Sequence, residues 1–282
     1  MYPSQFEYQR PGSLKEAIAI LQDNPEAKIV SGGHSLIPAM KLRLAMPGTL
    51  VDIARLDELK GISVNGSATI GAVTTYQELT QSSDLSNAFP IITETVNVVG
   101  DPAVRARGTL GGALAHSDPA ADFTAVFLAL GGSVTVEGSG GTRDIGADDL
   151  FVDLLTTSIS PDEILTKITL PGLNGAGAAY EKHRHPASGY AVVGVAAVIK
   201  IEGGKISSAR VAVTGATAHA ERAKATESAL VGQPATAETI AAAAAKAADE
   251  LEINGDVYAS AEYRAHLVTV LAKRAITRAA GL

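Results

Sequence analysis

The chain contains no cysteine. It therefore holds no iron–sulfur cluster and no thiolate zinc site of its own, and it forms no disulfide. Aromatic residues are scarce, at 4% of the total, so alanine, glycine and aliphatic side chains must supply most of the packing. Positive charge is not in excess. A formal net charge of −7 excludes the basic footprint of a nucleic-acid binder. No apolar run approaches the roughly 20 residues of a membrane span. The opening Met1-Tyr2-Pro3-Ser4-Gln5-Phe6-Glu7 has neither the basic region nor the apolar core of a signal peptide, so a cytoplasmic location is expected. What remains is 282 residues, 46% of them apolar, enough for two or three lobes with their own cores.

Two glycine-rich turns stand out. Ser31-Gly32-Gly33-His34-Ser35 follows the apolar strand signal Lys28-Ile29-Val30 and precedes helical text from Leu36. Gly108-Thr109-Leu110-Gly111-Gly112 lies further along the chain. A strand that breaks into paired glycines and then a helix can point backbone N–H groups outward with no Cβ in the way, and phosphate is the usual guest of such a nest. Neither turn has the spacing of a dinucleotide fingerprint or a Walker loop. Together they could grip one diphosphate from two sides.

Read in order, Ser13-Leu14-Lys15-Glu16 is a capping box opening a helix with Leu14, Ala17, Ile18 and Leu21 on one face. Asn24-Pro25 ends it. Lys28–Val30 and Thr49–Ile53 then read as a parallel β-α-β pair. Ile62–Val64 and Ala68–Ala72, joined at Asn65-Gly66, read as a hairpin. Thr75–Glu78 is a second capping box, and helical text runs from Leu85 to Val99 with a break near Pro90. Asp118-Pro119 reads as the start of a helix to Leu130. Residues 133–137 and 142–145 read as another hairpin, and Ile164–Leu170 as a strand. Gly172–Gly177 is the best linker candidate. Beyond it come strands at 178–185, 190–201 and 205–214, then helices at about 220–231, 237–251 and 260–279. The alanine run 241–245 predicts close helix packing. The fold class is α+β, with expected divisions at 1–58 (β-α-β lobe), 59–171 (antiparallel-sheet lobe) and 178–282 (a three-stranded sheet with helices).

Several stretches carry a family resemblance: Phe6-Glu7-Tyr8 with Arg10-Pro11, Gly32 through Leu44, Thr109-Leu110-Gly111-Gly112, Asp118 through Asp122, Tyr180-Glu181-Lys182 and Glu262-Tyr263-Arg264. In these the chain resembles the FAD-binding medium subunits of the molybdenum hydroxylases, of the xanthine dehydrogenase and carbon monoxide dehydrogenase type. The carbon monoxide dehydrogenase branch is the nearer one. The resemblance implies a two-lobe FAD-binding domain of the PCMH type followed by a C-terminal domain. It implies FAD between the first two lobes, 2Fe-2S clusters on an iron–sulfur small subunit, and the molybdenum cofactor on a large subunit, in a dimer of heterotrimers. Electrons would pass from the clusters through FAD to an external acceptor.

The same resemblance assigns residues. Ile29, Val30, Ser31, Gly32, Gly33, His34, Ser35 and Leu36 match the first diphosphate loop, and Thr109, Gly111, Gly112 and Ala113 the second. Asp122 matches a carboxylate on the adenosine ribose. Leu165 and Lys182 match positions at the flavin, and Tyr190 an aromatic covering one flavin face. Two positions depart from the pattern: Ala113 stands where Asn is usual, and Ser31 where Ala is frequent. His183 and His185 alternate on a strand without a third ligand and read as a solvated edge rather than a metal site. No catalytic residue is assigned. A free-standing FAD-dependent oxidoreductase of the same flavin fold is the competing reading. Against it, the part after the linker shows no base-and-nucleophile constellation. A third reading, a subunit without FAD, has Ala113 as its only support.

Overall fold

The computed structural model describes residues 1–282. Helix Leu14–Asp23 begins where expected, with the Ser13 hydroxyl accepting from the Glu16 N–H. The Glu16 carboxylate turns to the Gly12 N–H instead of Ser13, so the box closes one residue early. The helix buries Leu14, Ala17, Ile18 and Leu21. Strands Lys28–Val30 and Thr49–Asp52 pair in parallel. The sequence reading lacked a third strand, Glu7–Gln9, which adds to the other edge of Thr49–Asp52, also in parallel. Its three residues bury nothing, so no periodicity announced it.

The middle lobe is an antiparallel sheet of five strands: Ile62–Asn65, Ser67–Gly71, Ile164–Leu170, Ser133–Gly138 and Gly141–Gly146, in that spatial order. Both expected hairpins are there. The strand latest in sequence fills the centre and joins them. The helical text before residue 99 divides into Tyr76–Gln81, Ser83–Ala88 and Pro90–Val98. Ser82 caps the second piece, and Pro90 starts the third at the position where a missing N–H costs nothing. The next long helix starts at Asp122, not at Asp118, whose carboxylate accepts from the Ala120 N–H and makes a turn. Every residue of Asp122–Leu130 is buried, because this helix lies between the middle sheet and the C-terminal domain.

The C-terminal sheet has four strands rather than three. Gly177–Arg184, Ala191–Glu202 and Lys205–Thr214 are joined by the two-residue strand Glu221–Arg222. That pair falls inside the expected helix 220–231, which is shortened to Lys224–Leu230. Helix Ala237–Ala244 ends well before residue 251, and Ala261–Ala279 closes the chain. Ala243, Ala244, Ala272 and Ala275 are all buried in one core, the close packing that the alanine run implied. Two clasps hold this domain to the middle lobe. Arg278 bonds Glu181 and Glu94. Arg210 donates to the Leu128 carbonyl and, with Arg222, pairs with Asp148.

Candidate cofactor site

The first glycine turn leaves the parallel sheet at Val30. None of the N–H groups of Ser31 through Leu36 donates to an acceptor within the chain. The Ser35 hydroxyl makes no cap hydrogen bond. Six successive amides are thus free to bind an anion, since backbone donors near the interior are otherwise almost always paired. Gly33 sits at φ 75°, where a Cβ is disfavoured. Gly32 is required for a different reason. A Cβ there would run into the Arg107 carbonyl and come within 2.9 Å of the Gly108 Cα. The two turns therefore touch backbone to backbone, and the Ser31 and Thr109 hydroxyls meet at 3.1 Å.

The second turn differs from expectation. Thr109 caps helix Leu110–His116, so Gly111 and Gly112 are helical. Leu110 N–H donates to Thr74 O at 3.1 Å, Gly111 N–H to Ala72 O at 3.0 Å, and Ala113 N–H to Thr109 O at 3.1 Å. Gly112 N–H goes to the Thr109 hydroxyl. These amides are not available to a diphosphate; only the Thr109 N–H remains. A Cβ at Gly111 would lie 2.5 Å from Ala72 O, so this glycine serves the packing of its helix on the sheet. Gly111→Ala should lower the stability of the ligand-free chain by about 2–3 kcal/mol, read as a drop in melting temperature. An unchanged melting temperature with lost ligand binding would instead put the glycine at the ligand.

A cavity of about 820 Å³ opens over both turns, at the upper end for a small-molecule site. Its wall includes Ile29, Val30, Ser31, Gly32, Gly33, His34, Ser35, Leu36, Thr109, Gly111, Gly112, Ala113, Asp122, Leu165 and Tyr190. Lys182 is not part of the wall. Sequence reasoning missed Tyr76, Val99 and Gly100 at one end, and Leu21, Pro25, Lys28, Ile53, Ser160, Pro161, Glu163 and Ile164 at the other. These come from segments read only as core or loop, and no local signal marks them.

Asp122, 6% exposed, accepts the Tyr180 hydroxyl at 2.6 Å and the Lys182 ammonium at 2.9 Å. The Lys182 side chain, 4% exposed, also donates to the Val98 carbonyl at 3.0 Å, which ends helix Pro90–Val98. Its donors are therefore engaged by Asp122 and Val98 within the chain, where the resemblance implied a position at the flavin. Burial pushes the Asp122 carboxyl up, while Lys182 and Tyr180 oppose that shift. Burial likewise pulls Lys182 down against the attraction of Asp122. The contact also sets two of the expectations against each other. A carboxylate serving the adenosine ribose cannot lie against a lysine serving the flavin ring, because FAD carries these at opposite ends.

Tyr190 enters from the C-terminal domain. It follows a turn closed by Gly189 N–H on His185 O at 2.9 Å, with Gly189 at φ 76°. The ring is 42% exposed, and its hydroxyl lies beside Ser35. His183 and His185 pack against Tyr263 and Tyr258, with centroids 6.2 Å and 4.2 Å apart. The cavity thus has a polar end at the C-terminal domain, with Tyr76, Asp118, Asp122 and Tyr190. Its other end, at the first lobe, sets Leu21, Ile53, Ile164 and Leu165 beside Lys28, Ser160 and Glu163.

Residues 4–173 match the family described as the FAD binding domain in molybdopterin dehydrogenase. The chain belongs to that family. Residues 178–279 match the CO dehydrogenase flavoprotein C-terminal domain. Among curated relatives, the carbon monoxide dehydrogenase medium chain of Hydrogenophaga pseudoflava is 37% identical, covering 99% of this chain and 98% of that one. A 6-hydroxypseudooxynicotine dehydrogenase complex subunit alpha from Paenarthrobacter nicotinovorans is 36% identical over 99% of this chain and 96% of its own. The solved structure of the Hydrogenophaga pseudoflava carbon monoxide dehydrogenase lacking the Mo-pyranopterin moiety superposes with a TM-score of 0.96, at 38% identity over 99% and 98% of the two chains. The α+β architecture of an FAD-binding domain followed by a flavoprotein C-terminal domain is therefore shown, and the chain is a medium, FAD-binding subunit of the oxidoreductases of the molybdenum hydroxylase family. The free amides, the glycine contact and the size of the cavity fit FAD.

Proposed function

We propose that the chain is the electron-transfer subunit of a molybdenum hydroxylase complex, working in the cytoplasm in a dimer of heterotrimers. FAD bound here supplies reversible electron storage between 2Fe-2S clusters on a small partner subunit and an external acceptor, the substrate being oxidised at the molybdenum cofactor of a large one. The single observation that carries the reading is the run of six unpaired amides at 31–36, central to a two-ended cavity. The diphosphate rests on these amides, the Ser35 hydroxyl and the Thr109 N–H. At the polar end Tyr190 would cover the flavin half and Asp122 would accept from its sugar-alcohol chain. Leu165 and the first-lobe end of the cavity would hold the adenine half. This reverses the end at which Asp122 and Leu165 were expected to act. No side chain of the cavity is placed as base or nucleophile toward an organic substrate, so the protein supplies position and electrostatics and FAD the chemistry. The division into 1–58, 59–171 and 178–282 follows the same logic: the first two lobes clasp the cofactor and the third seals its flavin end.

Relatives at 37% and 36% identity carry names with different substrates, so similarity of this subunit does not select one. The test is anaerobic mixing of the isolated, FAD-loaded chain with the reducing substrate of its complex. No bleaching is expected until the partners are added. The complex should contain iron and molybdenum, and acid precipitation should release the flavin. Bleaching by the chain alone at the rate of the whole enzyme, or flavin retained on the precipitate, would favour a free-standing flavoprotein.

A further inference from the structure

Tyr76 is 8% exposed and lines the cavity, yet its hydroxyl bonds to no atom of the chain. The ring itself is held firmly. It stacks on Phe123 with centroids 5.2 Å apart and planes 11° from parallel. Its edge rests on the second glycine turn, where a Cβ on Gly108 would come within 2.8 Å of Cε2. The reciprocal Thr75–Glu78 capping box fixes the backbone on which it stands. Burial, then the charge of Asp122, then Tyr190, push the phenol far above its ordinary range, so it stays protonated and acts as a donor. Asp122 is not its acceptor: the carboxylate takes Tyr180 and Lys182 and makes no hydrogen bond to Tyr76. A donor on a rigid ring, unpaired within the chain and open to the cavity, is available to a ligand acceptor.

We propose that the Tyr76 hydroxyl is a cofactor-binding donor, hydrogen-bonded to the flavin half of FAD between the diphosphate and the ring. Its position supports this: the ring touches the second turn, and it lines the same cavity as Asp122 and Tyr190. The proposal rests on the orientation of FAD given above.

The experiment is titration of the full-length apoprotein and its Tyr76→Phe variant with FAD, FMN and ADP separately. Phe keeps the stacked ring and removes only the donor. The dissociation constants for FAD and FMN should rise about 5–10-fold, the loss of one hydrogen bond. The constant for ADP and the melting temperature of the apoprotein should not change. Unaltered FAD and FMN affinity would show that the hydroxyl only meets water, and would overturn the proposal. Equal weakening of ADP and FMN would place the contact at the diphosphate and overturn it too. Failure of the unmodified chain to bind FAD at all would reject the cofactor reading itself, a result distinct from either.

Discussion

A Gly32→Ala chain should fold and lose its flavin. The added methyl points at the Arg107 carbonyl and the Gly108 Cα, so the first and second turns must separate. Each turn belongs to a different lobe: Gly32 follows a strand of the parallel sheet, and Gly108 precedes a helix packed on the middle sheet. The atoms nearest the new methyl are Arg107 and Gly108 backbone, which belong to neither hydrophobic core. What changes is the spacing of the two halves of the grip. The dissociation constant for FAD should rise more than about 100-fold, a loss of about 2.7 kcal/mol, with circular dichroism unchanged. Stoichiometric FAD in the purified variant would show that the contact between the turns does not govern binding.

The second large effect is expected at Lys182, through Asp122 rather than through a flavin. Lys182→Met removes the cation from a pair whose side chains are 4% and 6% exposed. A buried charge left without its partner costs about 3–5 kcal/mol. Tyr180 still donates to Asp122, which keeps the loss within that range. The pH dependence follows from the carboxylate. Burial already raises the folded Asp122 carboxyl above its ordinary value, and without Lys182 it rises further. A group whose folded pKa is raised penalises the folded state as pH climbs above the unfolded value of about 3.9. The deficit of the variant should therefore be largest near neutrality and shrink as pH falls toward that value. Thermal melts of both proteins from pH 4 to 8 measure this. Adding Asp122→Asn, which removes the orphaned charge, should restore much of the loss near pH 7. A deficit independent of pH and not relieved by Asp122→Asn would mean that Lys182 contributes packing alone.

How much of the site could be read beforehand depended on whether the signal was local. The first turn was legible because strand, paired glycines and helix follow one another directly, and the amides they free belong to the same six residues. The second turn was read as an equivalent donor and is not one. Its amides bond Thr74, Ala72 and Thr109, and two of those acceptors lie in another segment. The expected three-stranded C-terminal sheet lacked Glu221–Arg222 because a two-residue strand has no period. Tyr76 was read only as part of the Thr75–Glu78 capping box, and only the folded chain shows it stacked on Phe123 at the cavity wall.

The sequence by itself determined what depends on neighbours along the chain. This includes the capped helix starts at Ser13 and Thr75, the hairpins at 62–71 and 133–146, the paired glycine turns, and the absence of thiolates for metal clusters. Caps and turns are settled by bonds spanning two to four residues, so residue order is enough. Only the tertiary structure decided which donors stay free, that Lys182 belongs to Asp122, and which end of the cavity is polar. Those outcomes depend on hydrogen bonds and burial between segments distant in sequence, such as Asp122 with Tyr180 and Lys182. A polar atom becomes a binding group only when folding has left it without a partner, and that cannot be counted until every segment is in place.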